Sequence, residues 1–123
     1  MTDIDANKFA FDSFVTAFAP GNEHMLDQYF SSELILLNHS ASKQFDLNDL
    51  KSRLPNIHKK YTDLKSEIKD LIVENGSIAF HVKQNAFSVP DNKHVTLDVM
   101  NLYKLSDGKV KEWQMWFNQA DAE

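Results

Sequence analysis

The chain has 123 residues with nine Phe, two Trp and three Tyr against only three Gly and three Pro, so it has volume for one real core, and low-complexity or loop-rich scaffolds are excluded. A formal net charge of −5 with dispersed lysines leaves no basic stripe for nucleic acid. The absence of cysteine excludes disulfides, a thiol nucleophile and a thiolate metal site, and is compatible with a reducing compartment.

The opening M-T-D-I-D-A-N-K is acidic and has no basic stretch leading into an apolar one, and no apolar run would span a bilayer. A single domain over residues 1–123 in the cytoplasm, with no membrane partner, is therefore expected. Thr2 caps a first helix with Asp3 and Asp5 at its positive end; Ile4, Phe11, Phe14, Val15 and Phe18 share one face, and Pro20-Gly21 stops it. Asn22 caps a short second helix with the stripe Met25, Leu26, Tyr29 and Phe30. Glu33 to His39 predicts a first strand with Leu34, Leu36 and Asn38 on one side, and Ser40 to Gln44 reads as a polar loop. Asp46 caps a third helix with Leu47, Leu50, Leu54 and Ile57 in register, and Pro55 inside it predicts a kink or break near Lys51 to Leu54.

Two long hairpins follow. Asp63 to Glu74 turns at Asn75-Gly76 into Ser77 to Ser88, pairing Val73 with Ile78, Leu71 with Phe80, Asp70 with His81 and Lys69 with Val82. After the loop Val89-Pro90-Asp91-Asn92, the stretch His94 to Asn118 turns at Asp107-Gly108, the dipeptide favoured in a two-residue type I′ turn. A regular register places Leu97, Val99, Asn101, Tyr103 and Leu105 on one face, opposite Asn118, Trp116, Gln114, Glu112 and Val110. Asp98, Met100, Leu102 and Lys104 then share the other face with Phe117, Met115, Trp113 and Lys111. Helices early and a long meander late mean α+β: three N-terminal helices on the concave face of a curved, mostly antiparallel sheet, a cone with one pocket.

This layout resembles the SnoaL-like, or nuclear transport factor 2-like, superfamily. The resemblance rests on L-Y-K-L-S-D-G-K-V-K-E-W (Leu102 to Trp113), Y-F-S-S-E-L-I-L-L-N (Tyr29 to Asn38) and E-N-G-S-I-A-F (Glu74 to Phe80), and covers essentially the whole chain. It implies a pocket under the helices. Polyketide cyclases and ketosteroid isomerases of this kind carry an Asp several residues before the Asp-Gly turn, where this chain has Asn101. Limonene-epoxide-hydrolase-like members carry Arg and Asp on the third strand, Asp near the end of the last, and Tyr and Asn on the first. The matching positions here are Val82, Gln84, Asn118, Leu36 and Asn38, of which only the last is retained. Each expected carboxylate is an amide or an aliphatic, so the resemblance leans against an enzyme.

On the assigned pocket face, Asn38, Gln84, Asn101, Gln114 and Asn118 stand among Leu36, Phe80, Val82, Val99, Tyr103 and Trp116, a lining that suits a small, apolar or partly polar ligand. The same amides also suit a plug in which they bond each other or trapped water. Amides do not titrate, so they are no general base; Glu112, with Tyr103, is the weak catalytic candidate, and its blander reading is a rim residue. The five histidines show no metal-ligand spacing, and neither metal nor cofactor is implied. The pair His81 and Asp70 reads as a cross-strand pair on the convex face. Met100, Leu102, Trp113, Met115 and Phe117 form an apolar patch on the opposite sheet face, expected to be buried in a homodimer. The leading expectation is a ligand-binding protein. The alternatives are an isomerase, cyclase or hydrolase on a small apolar substrate, or an interaction module using the convex face.

Overall fold

The computed structural model describes residues 3–18 and 23–121, the side chains of residues 3, 23 and 54–58 apart. Helix α1 (Asp3–Phe18) is followed by a 3-10 turn (Glu23–Met25), α2 (Leu26–Tyr29), β1 (Phe30–Asn38), β2 (Lys43–Phe45), α3 (Leu47–Lys60), β3 (Tyr61–Glu74), β4 (Ser77–Ser88), β5 (Lys93–Ser106) and β6 (Lys109–Asp121). The expected caps Thr2 and Asn22, the Pro20-Gly21 stop and the side chains of Leu54 and Ile57 lie outside the described residues.

The six strands form one sheet in the order β2-β1-β6-β5-β4-β3, antiparallel except where β1 lies parallel to β6. The α+β architecture is the expected one. Both Asn75-Gly76 and Asp107-Gly108 have two successive positive φ values, 46° and 76° in the first and 53° and 78° in the second, as a type I′ turn requires. The polar stretch after His39 holds an unforeseen strand: β2 folds back on β1, pairing Leu36 with Phe45.

Helix α3 starts with a reciprocal cap. Asp46 Oδ1 accepts from the Asp49 N–H at 2.8 Å, and Asp49 Oδ2 accepts from the Asp46 N–H at 3.0 Å. The helix then runs to Lys60 without the break expected near Lys51 to Leu54. A proline removes one donor, and a helix anchored through Leu47 and Leu50 on the core tolerates that single loss.

In α1 the buried face differs from the one read off the large apolar residues. Ala6, Ala10, Ser13, Phe14 and Ala17 are buried, while Ile4 is 83% exposed. The sheet supplies the bulk: Tyr103, Trp113 and Phe80 rise from it, so the helix packs closest with its smallest side chains.

Bulges in β3 and β6 decide which side chains of those strands face the core. Extra residues enter β3 between Thr62 and Lys65 and again between Ile68 and Asp70, and β6 at Lys111, since Lys104 pairs with Glu112 but Leu105 with Val110. The bulge in β6 corrects the regular register. Tyr103 faces Trp113, Asn101 faces Met115 and Val99 faces Phe117. Trp113 and Met115 are therefore core residues rather than parts of a dimer patch, and Trp113 packs edge-on to Phe14 and Phe18, with ring centroids 6.1 Å and 6.4 Å away. In β3 the same device pairs Ile68, not Lys69, with Val82.

Candidate functional site

Between α3 and the concave sheet face lies a cavity of about 290 Å³. Its floor is Gln84 of β4, Leu97 and Val99 of β5, and Trp113, Met115 and Phe117 of β6. Leu36 and Asn38 of β1 with Ala41 and Phe45 form one wall; Leu50, Arg53 and Lys60 of α3, Tyr61 and Leu64 of β3, and Phe18 of α1 close the rest. A second hollow of about 620 Å³ lies between α1 and the start of β3, and Phe18, Tyr61, Leu64 and Gln84 border both.

Of the residues expected in the pocket, Leu36, Asn38, Gln84 and Val99 line this cavity. Phe80, Val82, Asn101 and Tyr103 point the same way but are packed into the core. Asn101 is spent on structure: its Oδ1 accepts the Trp113 indole N–H at 2.9 Å, and its Nδ2 donates to the Val99 carbonyl at 3.3 Å and the Phe80 carbonyl at 3.5 Å. Tyr103 is fully buried, with its hydroxyl 3.0 Å from Ser13 Oγ, which donates to the Ala10 carbonyl. Burial pushes the Tyr103 phenol well above its ordinary range, so it holds its proton.

The bulge turns Glu112, Gln114 and Trp116 onto the convex face, and Asn118, paired with Asp98, goes with them. Glu112 there accepts from Gln114 at 3.0 Å and meets Lys104 at 3.3 Å, while Gln114 also bonds His39 at 2.9 Å. Neither catalytic candidate, Glu112 or Tyr103, borders the cavity. Of the expected dimer patch, Met100 and Leu102 do face outward, and Phe117 stands at the cavity floor. His81 bonds Asp98 at 2.9 Å rather than Asp70, since β5 is its neighbour on the other side.

Sequence reasoning missed Phe18, Phe45, Arg53, Lys60, Tyr61 and Met115 as lining residues. For Met115 a signal exists. Each bulge sits in an apolar–polar–polar–apolar run: Tyr61-Thr62-Asp63-Leu64, Ile68-Lys69-Asp70-Leu71 and Val110-Lys111-Glu112-Trp113. Two apolar residues three apart cannot share a face of a regular strand, and an extra residue between them makes it possible.

The polar atoms that could meet a ligand are few. Gln84 Nε2 donates to Ser66 Oγ at 3.2 Å, leaving the amide oxygen without a donor among the described residues. Asn38 Oδ1 accepts from the Ala41 N–H at 3.1 Å, leaving its NH₂ for the cavity. The described lining residues include no Asp, Glu or His. No group of three or more potential metal ligands exists among the described residues, nor any helix long and apolar enough to cross a membrane.

Comparison with solved structures places this geometry in a known fold. A presumed SnoaL-like polyketide cyclase of Jannaschia superposes with a TM-score of 0.78 at 14% identity, covering 94% of this chain and 84% of that one. An LEH-like epoxide hydrolase of M. tuberculosis gives 0.71 at 13% identity, covering 94% and 84%. A protein of ketosteroid isomerase-like fold from Catenulispora acidiphila, in complex with trimethylamine, gives 0.73 at 8% identity, covering 85% and 82%. No curated protein matches the chain. Identities this low establish the fold alone, but the sequence itself matches one family from the middle of α1 onward, over residues 9–123: the chain belongs to the family described as SnoaL-like polyketide cyclase.

Proposed function

We propose that this protein binds a small, largely apolar molecule in the cavity beneath α3 and does not turn it over by acid–base chemistry. The observation that carries this is the lining: Leu36, Leu97, Val99, Trp113 and Met115 supply the surface, the amides of Asn38 and Gln84 supply the orientation, and no described lining residue is a carboxylate or imidazole. Native mass spectrometry of freshly purified protein, repeated after adding 1-decanol, tests it. Retention of one small molecule per chain, or saturable one-to-one uptake of the alcohol, is expected. A bare mass together with no saturable uptake sinks it.

The homodimer belongs to the same proposal, on a face redrawn by the bulge. Met100 (49% exposed), Trp116 (42%) and Ile35 (43%) stand outward beside Leu102, and a twofold sheet-to-sheet contact would cover them. Light scattering should give twice the chain mass for the native protein and the chain mass for Trp116→Glu. A native monomer would remove the dimer and return the convex face to the interaction-module reading. The cytoplasm is the proposed location.

A further inference from the structure

We propose that the ligand carries a carboxylate: a monocarboxylic acid with a compact apolar body, its acid group at the α3 side of the cavity. This rests on the binding function proposed above and names the chemistry of what is bound. The protein as a whole carries a net charge of −5, yet the two charged residues that line the cavity among those described are both cations, Arg53 and Lys60. The Arg53 guanidinium lies over the Phe45 ring, 4.3 Å from its centroid, and the Lys60 ammonium is 5.7 Å from the Tyr61 centroid, but neither meets a carboxylate among the described residues.

Contact with Phe45 holds the Arg53 guanidinium at the cavity while its N–H donors bond no described residue, and a guanidinium with free donors recognises a planar carboxylate by paired hydrogen bonds. Asn38 adds a further donor from the facing wall. Asp49, four residues before Arg53 on α3, accepts from the Asp46 N–H at 3.0 Å; Asp27 pairs with Lys51 at 2.9 Å; and Asp91, linked to Tyr61 through Gln119, accepts from Ser88 at 3.0 Å and Gln119 at 3.1 Å. Both cations are exposed at the mouth of the cavity, where an acid group can reach them without their being buried first, while an ammonium ligand would find no counter-charge among the described lining. About 290 Å³ is near the lower end of small-molecule pockets, which limits the apolar body to a medium chain or a compact ring.

The test is calorimetric titration of the full chain with three probes of one chain length: decanoate, 1-decanol and decyltrimethylammonium. Decanoate should bind about tenfold more tightly than the alcohol, the ammonium more weakly than both, and the decanoate-to-alcohol preference should fall about tenfold in Arg53→Gln. Lys60→Gln, at an exposed position, gives an independent reduction should Arg53→Gln perturb the fold. Equal affinity for acid and alcohol, or a preference that survives both substitutions, overturns the acid assignment while leaving the binding function intact. Failure of all three probes to bind overturns the binding function and the assignment with it.

Discussion

The Trp113 indole N–H and Asn101 Oδ1 meet at 2.9 Å in the middle of the core, a bond between neighbouring strands of the sheet. Asn101 holds three partners, with no polar atom left for a ligand. Asn101→Leu should leave the indole N–H buried without an acceptor and cost about 1–3 kcal/mol, read from urea midpoints. Asn101→Asp keeps that acceptor but sets a carboxylate against the Val99 and Phe80 carbonyls. Burial would raise its pKa, so the folded form binds a proton that the unfolded chain has released, and the loss of stability should grow as pH rises above about 4.

Tyr103 makes the protein sensitive to alkali. Burial holds its phenol above the unfolded value of about 10, so its contribution is complete below about pH 10 and is lost as pH rises toward the folded value. Tyr61 is raised in the same direction, chiefly by burial as well. Urea midpoints between pH 8 and 11 should fall more steeply for the native chain than for Tyr103→Phe. Ser13→Ala, which strips the phenol of its partner, should cost about 1–3 kcal/mol at neutral pH.

Lys111 is the extra residue of the β6 bulge. Its ammonium is 3.8 Å from Glu33 in an exposed pair, so Lys111→Ala should shift stability by no more than about 0.5 kcal/mol. Deleting Lys111 leaves Val110 opposite Leu105, Glu112 opposite Lys104 and Trp113 opposite Tyr103, so a cooperative unfolding transition should survive. Deleting Lys111 and Glu112 together sets Trp113 opposite Lys104 and sends Trp113 and Met115 to the solvent side; that variant should lose the transition, as circular dichroism on heating would report.

Asp46 anchors the helix that carries Arg53 and Lys60. Asp46→Ala should cost about 1 kcal/mol in chemical denaturation by removing one half of the reciprocal cap, and the same variant should weaken decanoate binding.

Much of the fold was legible because turn chemistry is local. Asn75-Gly76 and Asp107-Gly108 locate both hairpins, and β4 has the bounds expected, Ser77 to Ser88. The parity of β5 was legible too, since Asn101 and Tyr103 sit inside with no bulge between them. The parity of β6 was not. With Met100, Leu102 and Trp116 on one side and Val99, Trp113, Met115 and Phe117 on the other, both faces are apolar and alternation carries little information. Only Lys111-Glu112, two charges between Val110 and Trp113, marks the slip, and it moved Gln114, Trp116 and Asn118 of the expected lining outside. Arg53 was illegible for a different reason. Its place at the cavity depends on how α3 lies over β2, a strand hidden in a polar stretch of three residues.

The bulge decides which of the two indoles is dry, and that has an optical consequence. Two indoles three positions apart on one strand end up on opposite sides of the sheet: Trp113 dry among aromatic rings, Trp116 half in water with the His39 imidazole flat against it at 4.5 Å. Their emissions should therefore separate, a blue component deaf to iodide and a red one that iodide quenches. Core melting and events at the outer surface can then be followed in a single spectrum, without attaching a dye.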